Sequence, residues 1–134
     1  MEKDPEQIWY QYIEKLFNER NLELVEVLFA PDYVLNGEIY SHEQIRTNLQ
    51  TFFTAFPDCY LSIDKQFVRG ICIICNWTLR GTHKGDYQGK APTGIQVRVQ
   101  GKSEACIYRG KIVKQWREMD EKSLIQQLDQ SNST

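Results

Sequence analysis

The sequence predicts an α+β fold in which helices come first, a curved antiparallel sheet follows, and one short helix closes the chain. Three observations carry this. Apolar residues recur at helical spacing up to Pro57, the period changes to two beyond it, and "EKSLIQQL" at 121–128 returns to the helical pattern. Helices grouped before strands imply a layer of helix covering one face of a sheet. At 134 residues the chain fits a single domain over 1–130, with a polar tail at 131–134 that frays.

The first helix is announced by its start. Asp4 at the N-cap, Pro5 at the first helical position and Gln7 at the third make an initiation signal, and Ile8, Trp9, Tyr12, Ile13, Leu16 and Phe17 form one apolar face. A shorter helix in "NLELVEVLF" stops at Pro31, and "DYVLNG" is then a brief extended segment ending on a turn glycine. Ser41 and Gln44 form a capping box for a third helix, whose stripe is Ile45, Leu49, Phe52, Phe53 and Phe56. Beyond it, "CYLSIDKQFVRG", "ICIICNWTLRGTH", "GIQVRVQGKSEACIYRG" and "KIVKQWREMD" read as strands separated by turn residues, with a tight turn at Arg109–Lys111.

Composition excludes several classes. The 16 Lys and Arg against 18 Asp and Glu give a net charge of -2, which supplies no basic field for nucleic acid. No apolar run reaches membrane-spanning length and the N-terminus lacks a signal-peptide pattern, so the expectation is a soluble cytoplasmic protein. Cys72 and Cys75 share zinc-type spacing. On a strand, however, alternation sends them to opposite faces, so all four cysteines are expected to be small buried hydrophobes in a reducing compartment, with no metal.

A twisted sheet folded over helices leaves room for an apolar pocket. Alternation places Cys75, Trp77, Leu79, Gly81 and His83 on one face of their strand, and Ile112, Trp116 and, if that strand stays regular, Asp120 on one face of the last. The glycine-rich loop after His83 lacks any phosphate-binding fingerprint and is expected at the pocket rim.

Taken in order, "FFTAFPD" (52–58), "RGTHKGDYQGKAPTG" (80–94), "RGKIVKQWREMD" (109–120) and "LIQQL" (124–128) resemble the motifs of the SnoaL-like polyketide cyclases, or ester cyclases. The resemblance implies a cone-shaped nuclear-transport-factor-2-like fold with a deep pocket, a homodimer formed through the sheet, and a cofactor-free ring closure by aldol condensation of a polyketide ester. It sets the catalytic Asp on Asp120 and an assisting histidine on His83. It also makes Asn36 and Glu104 pocket candidates, beside Trp77, Trp116 and Phe56 as groups that would hold a hydrophobic substrate.

Each assignment has a plainer rival. Asp120 directly precedes a helix and suits an N-cap as well as a base. His83 could equally bond the glycine-rich turn after it, and His42 is expected to be a solvated helix-start residue. The chemistry expected first is therefore a cyclase. Behind it stand a non-catalytic small-molecule-binding or protein-interaction module, and a related pocket isomerase, dehydratase or hydrolase.

Overall fold

A computed structural model describes residues 4–129. Helix α1 (Pro5–Tyr10) runs on as a π-helical stretch (Gln11–Asn18), and the Asp4 side chain accepts from the Gln7 amide at its start. A 3-10 turn (Leu22–Leu24) leads into the short α2 (Val25–Leu28). Strands β1 (Phe29–Leu35) and β2 (Glu38–Tyr40) form a hairpin, and α3 (His42–Ala55) follows behind its Ser41–Gln44 capping box. Four long strands come next: β3 (Tyr60–Arg69), β4 (Cys72–Thr82), β5 (Gln96–Tyr108) and β6 (Lys111–Met119). Helix α4 (Glu121–Asp129) closes the described chain. The polar tail expected to fray at 131–134 lies outside the described residues.

The sheet order is β2-β1-β6-β5-β4-β3. It is mixed, because β1 runs parallel to β6 while every other pair is antiparallel. The β1–β2 hairpin, which adds β2 at the outer edge, turns on Asn36 (φ 51°) and Gly37 (φ 86°), the left-handed pair favoured in two-residue turns. Strand β2 was not expected, although "NG" between extended segments carries its signal, and Pro31 sits within β1 instead of stopping a helix.

The core lies between the helices and the concave side of the sheet. Ile8, Trp9, Ile13 and Leu16 of the first helix, Leu28, and Leu124 and Leu128 of α4 are all buried with Ile73, Cys75, Leu79, Val99 and Ile107 of the strands. The covered face of β4 thus includes Cys75, Trp77 and Leu79, and a Cβ on Gly81 would press on Phe56 and Cys59.

Two expectations about cysteine and histidine are corrected here. Cys72 and Cys106 stand directly opposite one another in the β4–β5 register and are joined as a disulfide, so they are not two unpaired hydrophobes. Sequence spacing could not pair them, because the partners are 34 residues apart. Cys59 and Cys75 are unpaired and buried, and burial pushes the Cys59 thiol up to about 11. His42 is not merely solvated, since its Nε2 meets the Phe29 carbonyl at 2.8 Å.

Candidate functional site

A cavity of about 540 Å³ opens between the helices and the sheet. One wall is a run of aromatic rings meeting at edges or tilts: Trp9 with Tyr12 at 5.1 Å, Tyr12 with Phe29 at 5.5 Å and Phe29 with Tyr33 at 4.7 Å. Phe17, Leu49 and Phe52 close another side, and Leu61, Trp77 and Leu79 come from the sheet. Asn48, Arg117, Glu118, Glu121 and Tyr87 reach it as well.

The sheet wall carries a polar stripe across four strands. The Trp77 indole lies flat over Gly101, where any Cβ would overlap its ring, and its N–H donates to Ser103 Oγ at 3.0 Å. Ser103 faces Arg117 across the β5–β6 ladder. Next along β6, Gln115 is only 1% exposed, and its Nε2 donates to the Tyr33 hydroxyl at 2.8 Å. Gln115 Oε1 and Trp9 Nε1 are buried without a partner. Burial pushes the Tyr33 phenol far above its ordinary pKa, with the Arg117 charge acting in the opposite sense, so the hydroxyl stays protonated and able to donate.

The expected convergence of Trp116 and Asp120 with this wall does not form, and a β-bulge is the reason. Ile107 pairs with Ile112, yet Cys106 pairs with Lys114, so β6 holds one more residue than β5 across that step. Side-chain parity flips there. Ile112 is followed inward by Gln115, Arg117 and Met119, while Trp116 turns to the outer face and is 50% exposed. Glu104 also faces outward, between the buried Ser103 and Ala105, and pairs with Arg69 at 3.1 Å.

Asp120 is exposed and does not line the cavity. Its Oδ1 accepts from the Ser123 amide at 3.1 Å, its carbonyl accepts from Leu124, and its own amide donates to Gln100. This is the helix cap geometry. His83 is fully buried outside the cavity, with Nδ1 accepting from the Thr93 amide at 3.2 Å and lying 3.0 Å from Thr93 Oγ1. Its main chain bonds Ile95 and Gly94, so the GTH and PTG motifs clasp each other. Phe56 stacks on His83 at 5.5 Å behind the cavity wall. Of the seven residues singled out from the sequence, Asn36 and Trp77 line the cavity. Asn36 is also engaged by β6, since its side chain exchanges two hydrogen bonds with the Arg117 main chain.

Tyr33, Ser103, Gln115 and Arg117 were not singled out. Ser103 carried a usable signal, a small polar residue at the inward parity of β5, whereas Gln115 and Arg117 became legible only with the bulge. At the rim, Tyr87 donates to Glu121 Oε1 at 3.2 Å, and burial with the neighbouring carboxylate pushes its phenol up to about 12. Among the described residues no group of His, Cys, Asp and Glu is arranged to hold a metal, and no helix is long and apolar enough to cross a membrane.

Solved structures share this architecture. A candidate polyketide cyclase from Acidithiobacillus ferrooxidans superposes with a TM-score of 0.86 at 24% identity, covering 96% of each chain. IdmH, a candidate polyketide cyclase from Streptomyces antibioticus, gives 0.83 at 24% identity over 94% of this chain and 99% of its own. TsrD from Streptomyces laurentii gives 0.82 at 22% identity over 92% of both. These likenesses fix the fold as nuclear-transport-factor-2-like. No curated protein sequence matches this chain. The family model for the SnoaL-like polyketide cyclases matches residues 7–128, nearly the whole of the described fold, and the chain belongs to that family.

Proposed function

We propose that the protein is a pocket enzyme that closes a ring in a largely apolar, carbonyl-bearing molecule folded inside the cavity, without a resident cofactor. The observation that carries this is the cavity itself: about 540 Å³, walled by aromatic and aliphatic side chains, with a few polar groups gathered on the sheet side. In an aldol closure a base removes the proton next to one carbonyl, the resulting enolate carbon attacks a second carbonyl, and the new alkoxide is protonated. Donors on the wall stabilise the charge on oxygen during both steps. Trp77, locked over Gly101, holds the substrate's apolar body, and Asn36 shapes the rim. The carboxylates that reach the cavity are Glu118 and Glu121; Glu121 already accepts from Tyr87 and Gln88, which leaves Glu118 as the group to take the proton.

A specific observation favours a second reading, a non-catalytic carrier. Glu118 and Glu121 are open to solvent, and the Asp120 carboxylate lies outside the cavity, occupied on the Ser123 amide. One experiment addresses both. Purified protein is incubated with linear poly-β-ketone esters of cavity size, binding is followed by calorimetry, and ring formation by mass spectrometry and absorbance. Ring formation that is lost in Asn48→Trp, a bulky change at an exposed lining position, supports the enzyme. Binding without turnover supports the carrier. If Asn48→Trp binds and turns over like the parent, the cavity is not the site.

A further inference from the structure

Apart from the unpartnered Gln115 Oε1, the polar stripe on the sheet wall presents donors. Ser103 Oγ accepts from the Trp77 indole, so its own hydrogen is turned to another acceptor. Tyr33 Oη accepts from Gln115 Nε2, so its hydrogen is likewise left to donate. Burial keeps that phenol protonated. Across the ladder from Ser103, and close enough to Tyr33 to act on its ionisation, Arg117 lines the cavity with a guanidinium that is always charged. The ion pairs among the described residues involve Lys15, Arg46, Arg69 and Lys90, and Asn36 bonds only the main chain of Arg117. Glu118 and Glu121 also reach the cavity, but Glu121 is taken by Tyr87 and Gln88.

Two hydroxyl hydrogens and a guanidinium gathered on one side of an otherwise apolar cavity call for an anionic oxygen. We propose that the cavity selects an apolar molecule carrying an anionic oxygen, a standing carboxylate or an enolate formed in the reaction, and that Arg117 recognises it with Tyr33 and Ser103. Gln115 is a positioning residue that holds the Tyr33 hydroxyl. The inference rests on the reading of the cavity as a small-molecule site, and it names the residues that decide which molecules are taken. It also accounts for the bulge, which turns Arg117 rather than Trp116 to the inside.

The test compares two probes of equal shape, 2-naphthoate and 2-(hydroxymethyl)naphthalene, titrated calorimetrically into the parent, Arg117→Gln and the control Arg98→Gln. A charge-assisted contact at a cavity mouth predicts that the parent prefers the carboxylate by about tenfold. That preference disappears in Arg117→Gln, persists in Arg98→Gln and shrinks with added salt, while the neutral probe binds all three proteins alike. Equal binding of both probes by the parent, or a preference that survives Arg117→Gln, overturns the inference and leaves the cavity reading standing. If neither probe binds the parent, both fall. Where the carboxylate preference depends on Arg117, Tyr33→Phe distinguishes the enolate source: it slows ring closure more than it weakens naphthoate binding if the anion forms in the reaction, and affects both alike if the anion is standing.

Discussion

Asp120 shows how one residue can satisfy two readings until its neighbours are placed. Its carboxylate has the amide of Ser123 within 3.1 Å and no cavity in front of it, so the local demand of a helix start decides its geometry. The substitution Asp120→Asn keeps a good cap but removes any basicity. It should leave turnover and ligand affinity within about twofold, and a large loss of rate at unchanged affinity would restore the base. Asp120→Ala removes the cap and should cost about 1 kcal/mol in denaturant unfolding. His83 teaches the same lesson from the other side. An imidazole in a recognisable motif is buried against Phe56 and bonded to Thr93, where it holds the loop to its strand.

At the scale of strands, the site is built from register. Trp77 pairs with Gly101 across β4 and β5, and the missing Cβ lets the indole lie against the sheet and reach Ser103. Gly101→Ala would force the ring away from the wall. The expected outcome is a destabilisation of about 1–3 kcal/mol by overpacking, together with loss of apolar-probe binding in the cavity. Thermal unfolding and the same titrations check it, and an unchanged cavity affinity would mean that Trp77 does not shape the wall. The bulge in β6 acts in a similar way. One inserted residue exchanges which side chains meet the cavity, and Gln115 and Arg117 enter where Trp116 was expected.

Across the whole molecule, the same "FPD" and "GTH" segments tie helix to sheet. Asp58 accepts from the Thr82 hydroxyl and amide, both at 2.7 Å, and the hydroxyl bond holds the carboxyl below its ordinary value of 3.8. A carboxyl depressed in the folded state stabilises it at pH values above the unfolded pKa, and that contribution is lost as pH falls through the folded value. Thr82→Val should therefore lower stability at neutral pH while flattening its fall below about pH 4. Equilibrium unfolding at several pH values, with the Asp58 titration followed by NMR, would check this. A parent and variant with parallel pH profiles would show that the bond contributes nothing to acid sensitivity.

The helices opened by the caps at Asp4 and Ser41, the four long strands, the closing helix and the family itself were legible in the sequence, because periodicity, capping and turn chemistry are local and the motifs keep their order. The parallel pairing of β1 with β6 and the disulfide between Cys72 and Cys106 were not, since each joins residues far apart in the chain. The make-up of the cavity wall was legible only in part. Trp77 follows from simple alternation, whereas Tyr33, Gln115 and Arg117 depend on the long-range parallel pairing of β1 with β6 and on a single extra residue that reverses parity. Local forces determined which elements form and where Asp120 sits. Only the tertiary structure decided which side chains share the cavity, because a shift of one residue in register exchanges one face of a strand for the other.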